Sequence, residues 1–306
     1  MANTIGWGQA AVNNTIDWGK GKTNNSLGWG SVYSSSPSGE TDISGTPAGD
    51  ADAQLFITNA AITDRTQQAA IDKLVTDLKG YGIWTKMKAL YPFVGGTASQ
   101  HKFNLKNPLD TDAAFRLVFN GGWVHSNMGA LPNGTNAWAD TFLNPSISLT
   151  QNSTHLSYYS RTNTLNTAQL EIGAYPLPSG IGSSSFGISS NAAPIGHFRN
   201  RVSTSTPSTS YIPTSTTGLF VSNRIISTQQ KVYKNGTLQE TANINSDGIA
   251  NLKIPIGAVR FDLITISDYS AKETAFNSIG DGLTDTEAAN YYTAVQTFQT
   301  TLSRNV

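Results

Sequence analysis

The stretch Gln230-Lys-Val-Tyr-Lys-Asn-Gly-Thr-Leu-Gln-Glu-Thr241 sets Asn235-Gly236 between two runs that can pair as antiparallel strands. Asn-Gly is the strongest two-residue hairpin signal, because a type I′ turn needs positive φ at both central positions and these residues tolerate it at least cost. Val232 and Lys234 alternate with Lys231 and Tyr233, so the hairpin is expected to lie in a sheet with one wet surface. A lone hairpin is not stable in water. Elsewhere the chain supplies short runs rich in Val, Ile, Phe and Tyr, separated by Gly, Ser, Asn and Pro, which is the punctuation of a mostly β sandwich.

Those runs are Ala114-Phe-Arg-Leu-Val-Phe119, Ser146-Ile-Ser-Leu149, His155-Leu-Ser-Tyr-Tyr159, Gln169-Leu-Glu-Ile172, Ser185-Phe-Gly-Ile188, His197-Phe-Arg-Asn-Arg-Val202, Gly218-Leu-Phe-Val221, Lys253-Ile-Pro-Ile256 and Phe261-Asp-Leu-Ile-Thr-Ile266. With no regular helix between them, antiparallel sheets are expected rather than βαβ units. Ahead of them, residues 53–100 read as a helical connector. Ile71, Leu74, Val75 and Leu78 recur at helical spacing, Thr63 or Asp64 can cap the start, Gly80 can end the last turn, and a second short helix is expected over 83–90. At the far end Thr284-Asp-Thr-Glu287 is a capping box, and Tyr291, Val295, Phe298 and Leu302 stripe one face of a closing helix.

The first thirty residues hold an internal repeat: Asn3-Thr-Ile-Gly-Trp-Gly8, Asn14-Thr-Ile-Asp-Trp-Gly19 and Asn25-Ser-Leu-Gly-Trp-Gly30, containing half of the chain's 6 Trp. So short and glycine-rich a stretch cannot build its own core. Residues 1–33 therefore read either as a polar tail or as an attachment arm that lays Trp7, Trp18 and Trp29, with Ile5, Ile16 and Leu27 two positions before them, on a partner as aromatic anchors. Residues 34–52 are a Ser/Gly/Pro-rich linker.

Composition narrows the function. Of 306 residues only 13% are charged, about half the usual share, and Lys+Arg equals Asp+Glu at 20 each. No general electrostatic attraction to nucleic acid or an anionic membrane follows from that balance. Low charge and many aromatics suit a surface covered by neighbours, although secreted monomers share the trait. There is no Cys, hence no disulfide and no thiolate metal site. Met1-Ala2-Asn3-Thr4 opens no basic-then-apolar leader, and no stretch of about eighteen apolar residues occurs. The expectation is a soluble product of a cytoplasm, able to act elsewhere.

Lys231-Val-Tyr-Lys-Asn-Gly-Thr237, Phe261-Asp-Leu-Ile-Thr-Ile266 and the short helix after them resemble the last half of concanavalin A-like, laminin-G-like jelly rolls. The wider stretch resembles structural proteins of tailed phages that infect Bacteroidota, including crAss-like phages. It runs from Tyr81-Gly-Ile-Trp-Thr-Lys-Met-Lys-Ala-Leu-Tyr-Pro-Phe-Val-Gly-Gly96 through Phe115-Arg-Leu-Val-Phe-Asn-Gly-Gly-Trp123 to Gly280-Asp-Gly-Leu-Thr-Asp-Thr-Glu-Ala-Ala-Asn-Tyr-Tyr292. The resemblance covers roughly residues 53–306, and the Gly-Trp repeats are similar to N-terminal segments of some of these proteins. It implies a jelly-roll domain over 101–306 and a location in the virion.

Candidate chemistry is sparse. The 4 His (His101, His125, His155, His197) show no close metal-ligand spacing. Sandwich glycosidases need two facing carboxylates; Glu171 and Asp262 each lack an acidic strand neighbour, so no enzyme is expected. No cofactor is expected either. Laminin-G-like domains often bind calcium, and Asp281, Asp110 and Asp112 could serve, but no Asp-x-Asp-x-Asp-Gly loop occurs, and turns and caps explain the acids as well. Glycan binding needs an exposed aromatic beside amides or carboxylates; Trp123, His125, Asn127, Asn136 and Trp138 lie along one Gly/Asn-rich stretch that could form such a loop, with burial of both Trp the competing reading.

Two functions fit these residues. In the first, a non-enzymatic virion component (fibre, spike or decoration protein, a homotrimer) attaches to other virion proteins through residues 1–33 and projects the jelly roll. In the second, a glycan-binding adhesin recognises a host surface polysaccharide, with depolymerase activity as a minor variant.

Overall fold

The computed structural model describes residues 49–165, 169–176, 184–190, 197–203, 209, 211–246 and 248–306. The expected attachment arm, with Trp7, Trp18, Trp29, Ile5, Ile16 and Leu27, lies outside them, as does the expected linker up to residue 48.

In chain order the elements are α1 (Ala51–Asn59), α2 (Arg65–Gly80), β1 (Met87–Tyr91), α3 (Ala98–His101), β2 (Val118–Asn120), β3 (Trp123–Ser126), β4 (Gly129–Pro132) and β5 (Trp138–Asp140). Next come α4 (Pro145–Ser148), β6 (Thr154–Ser160), β7 (Ile172–Ala174), β8 (Ser184–Ser189), β9 (His197–Ser203), β10 (Gly218–Ile226), β11 (Gln229–Lys234) and β12 (Thr237–Ala242). The chain closes with β13 (Pro255–Ile256), β14 (Val259–Arg260), β15 (Ile266–Ser267), β16 (Thr274–Gly280) and α5 (Asp285–Thr301). One sheet runs β12-β11-β10-β6-β16-β4-β3, with β1 also on β16; the other runs β15-β14-β7-β13-β5-β2, with β8 on β7 and β9 on β8. The fold is therefore a mostly β sandwich closed by a C-terminal helix.

The central hairpin forms as its residues dictate. Asn235 has φ 49° and Gly236 φ 72°, the two positive values of a type I′ turn, and Lys234 pairs with Thr237. Asn235 also clasps the neighbouring strand: its Oδ1 accepts from Leu219 N at 2.8 Å, and its N–H donates to Leu219 O at 2.9 Å. A Cβ at Gly236 would fall 2.8 Å from the Tyr292 side chain. Asn235→Ala with Gly236→Val is accordingly expected to cost about 1–3 kcal/mol, read as a lower urea midpoint; an unchanged midpoint would remove the turn from the fold's determinants.

The expected wet surface is not there. Val232 and Tyr233 are both buried, on opposite faces of β11. Val232, with Leu156, Tyr158, Phe220 and Ile279, meets Ile172, Phe186, Ile188 and Ile256 of the second sheet. Tyr233, with Tyr159, Leu219, Val221 and Phe276, meets Phe56, Ile71, Leu74, Leu78, Tyr291, Val295 and Phe298 of α1, α2 and α5. A helical layer thus covers the outer face of the first sheet, and period-2 alternation serves two cores instead of one core and solvent. Local caps hold that layer: Asp64 accepts from Gln67 N, and the Thr284/Glu287 capping box is complete.

Several expected elements differ. Residues 83–90 are not a second helix: a single 3-10 turn, Trp84–Lys86, leads into β1, which pairs Leu90 with Ser278. Of Ser146-Ile-Ser-Leu149 the first three residues belong to α4 and Leu149 follows it, because Pro145 at the first turn and the Asn144 cap on Ser146 N start a helical turn, leaving Ile147 81% exposed. Of Phe261-Asp-Leu-Ile-Thr-Ile266 only Ile266 is in a strand, at the start of β15; the rest is the turn from β14, where Asp262 accepts from Ile264 N, Thr265 N and Thr265 Oγ1. In Ala114-Phe-Arg-Leu-Val-Phe119 the strand begins only at Val118, after a 3-10 turn that ends with Phe115 at φ 60°. β16 carries no alternation because it is buried on both faces. β7 and β14 pair in parallel, against the antiparallel expectation.

Candidate functional site

The Gly/Asn-rich stretch expected as a loop is a β3–β4 hairpin, pairing Trp123 with Pro132 and His125 with Ala130. Trp123 is half-buried and engaged throughout. Its Nε1 donates to Asn120 O (3.0 Å) and Trp138 O (3.3 Å), His125 stacks on it at 6.2 Å, and the Phe119 ring meets it edge-on at 5.3 Å. Trp138 is half-buried too, with the Arg260 guanidinium 5.3 Å above its ring. Asn136 serves the turn: its Oδ1 accepts from Gly122 N and Asn133 Nδ2, while Asn133 Oδ1 accepts from the N–H groups of Thr135, Asn136 and Ala137. The structure thus gathers Trp123, His125 and Trp138 as neighbours, with their ring faces already partnered, and leaves Asn127 at the opposite end of the hairpin.

There Asn127 borders an open cleft of about 190 Å³, lined also by Asp64, Thr66 and Gln67 from the start of α2 and by Thr301, Leu302 and Ser303 from the end of α5. Amides and hydroxyls dominate the lining, with one carboxylate and one aliphatic side chain. Gln67 Oε1 accepts from Gly95 N at 2.7 Å, which ties the Gly95-Gly96 bend to α2. Beneath Asn127 lies Arg304, buried and hydrogen-bonded to neutral partners: Gln299 Oε1 and the carbonyls of Pro92, Phe93, Ala275 and Asn127. Burial lowers its pKa to about 9. Of these residues the sequence marks Asn127 alone as a binding candidate, and Asp64 and Leu302 only as a cap and as part of an apolar stripe; the lining comes together from two helix ends far apart in the chain, with no local motif to mark it as a site.

The remaining candidates have partners. Glu171 is fully buried and ion-paired with Lys272 at 2.5 Å, and Asp262 holds its own turn. Asp281 pairs with Lys88, Asp110 with Lys102 and Arg116, and Asp112 with Arg116. Among the described residues no group of three His, Asp or Glu could hold a metal ion. His155 is buried, its rings nitrogens bonded to Asp281 O (2.6 Å) and Ser278 Oγ (2.8 Å), and burial lowers its pKa to about 4. The His197 side chain lies outside what is described.

No protein-family model matches the sequence, and no curated protein matches it. Among solved structures, the chain is similar to domain 4 of AbnA, a GH43 extracellular arabinanase from Geobacillus stearothermophilus, in complex with arabinotriose: 18% identity, 67% of this chain and 98% of that one, TM-score 0.35. It is similar to the binding domain of botulinum neurotoxin DC in complex with rat synaptotagmin II, at 10% identity over 70% of this chain and 53% of that one, TM-score 0.43. A mutant Trypanosoma rangeli sialidase displaying trans-sialidase activity aligns at 11% identity over 74% of this chain and 39% of that one, TM-score 0.46. The chain spans about half or less of the latter two. At such identities the likeness concerns architecture, and what the chain binds has to be argued from its own residues.

Proposed function

We propose that this chain is a non-enzymatic, lectin-like module that binds carbohydrate in the cleft between the start of α2, the end of α5 and the β3–β4 turn. The observation that carries the reading is the lining itself: Thr66, Gln67, Asn127, Thr301 and Ser303 offer donors and acceptors, beside the Asp64 carboxylate and the aliphatic Leu302. Sugar hydroxyls, which both donate and accept, suit such a set. In the same reading the module sits on a phage particle, held by Trp7, Trp18 and Trp29, as the resemblance implies; mass spectrometry of purified particles tests that setting.

Glycan-array screening of the full chain, followed by calorimetry with the best binder, tests the cleft. Asn127→Ala and Thr301→Ala are each expected to weaken binding by roughly 5- to 150-fold, the effect of about 1–3 kcal/mol for a ligand polar group left without its partner. Trp138→Phe is expected to leave affinity unchanged. Failure to bind any glycan, or binding indifferent to both cleft variants, would sink the proposal.

A further inference from the structure

Two histidines lie directly behind the cleft. His101, at the end of α3, is buried, and its Nε2 accepts from Gly96 N at 3.2 Å. Its Nδ1 faces His125 Nδ1 on β3 at 3.0 Å. Gly96 is packed so closely on the β3–β4 turn that a Cβ there would stand 3.2 Å from Asn127 N. The pair therefore joins the Gly95-Gly96 bend to the turn that carries Asn127.

The hydrogen-bond directions follow from this arrangement. Because Gly96 N–H donates to Nε2 of His101, that nitrogen is unprotonated, and a neutral His101 carries its proton on Nδ1. His125 Nδ1 must then be the acceptor, and His125 carries its own proton on Nε2. No site on the pair can take another proton cheaply. A proton on His125 Nδ1 sets two N–H groups against each other, and one on His101 Nε2 expels Gly96 N–H.

The surroundings give a cation no compensation. The rings packed on the pair are Phe93 (5.5 Å from His101), Phe119 (4.6 Å from His125) and Trp123. Burial lowers the pKa of both histidines, and for His101 the His125 ring and then the Arg304 cation lower it further.

We propose that the His101–His125 pair is an acid-sensitive latch on the cleft: neutral, it holds the Gly96 bend against the β3–β4 turn, and protonation of His125 parts the rings and displaces Asn127. Its effect on a ligand rests on the cleft being the binding site, but the latch can be read without ligand.

The test is nuclear magnetic resonance of the full chain, following the His125 ring and the Gly96 and Asn127 amides from about pH 7.5 to about pH 4, a range carried below the ordinary histidine value because burial lowers that of His125. The amides of Gly96 and Asn127 are expected to shift together with His125 titration, and to stay in place across that range in His125→Phe, which keeps a ring against Trp123 and cannot be protonated. Amides that ignore the titration, or move equally in His125→Phe, overturn the latch. With a bound glycan in hand, affinity is expected to fall about tenfold at the acid end in the unaltered chain, an ordinary coupling, and to be insensitive to pH in His125→Phe. Absence of glycan binding at every pH counts against the cleft as a carbohydrate site and leaves the latch to be decided by the amide shifts.

Discussion

Lys272→Met is expected to lower the free energy of unfolding by about 3–5 kcal/mol, the cost of breaking a buried ion pair and leaving one charge alone. Lys272 Nζ and Glu171 Oε1 are 2.5 Å apart and both side chains are 0% exposed. Their polar company is Ser190, whose N–H and Oγ–H donate to the carboxylate at 2.8 and 2.9 Å and whose Oγ accepts from Lys272 at 3.1 Å. Glu171 directly precedes β7 and Lys272 lies just before β16, so the pair links the two sheets. Glu171→Gln strands the ammonium instead and should cost a similar amount. The double replacement Glu171→Met with Lys272→Met removes both charges and should be closer in stability to the unaltered chain than either single change. Urea titration of the four proteins decides it; single variants within about 1 kcal/mol of the parent would mean the pair is dispensable. One consequence concerns catalysis: loss of any activity in Glu171→Gln would report unfolding unless the fold is measured alongside.

Acid should destabilise the sandwich well before its carboxylates titrate. Burial holds His101 at about 3 and His155 at about 4, below the ordinary histidine value near 6.5. In the unfolded chain both take up protons as pH falls through about 6.5, while in the folded chain they stay neutral. The stability they contribute is thus fully present above about pH 6.5 and is lost as pH falls toward the folded values. At about pH 5 the loss is about 2 kcal/mol for each, or about 4 kcal/mol together, with ordinary carboxylates still ionised. Denaturant unfolding at about pH 7.5 and about pH 5 measures it, and a difference below about 1 kcal/mol would refute the burial of these rings as neutral groups.

The parts legible in the sequence are those specified by a few adjacent residues. Asn235-Gly236 determined its turn because positive φ at two successive positions is a local demand. Asp64 and the Thr284/Glu287 box determined where α2 and α5 begin, because a cap reaches only two or three residues ahead. Runs rich in β-branched and aromatic residues located β6 and β10, and alternation β11, though not what covers their second face. Where two local signals competed, as at Pro145 and Asp262, the cap or turn won over the apolar run.

Only the tertiary structure decided the rest. β1 and β16 are strands because they pair with each other, and β16 with β6 as well, which no periodicity within Met87–Tyr91 or Thr274–Gly280 announces. Glu171 and Lys272 stand 101 residues apart in the chain, and neither calls for the other locally. The cleft joins the first turn of α2 to the last of α5 because the two helices share one apolar core over the first sheet. Local backbone preference acts over one turn, whereas a site is assembled by burial, which brings together whatever the folded layers leave at their common edge.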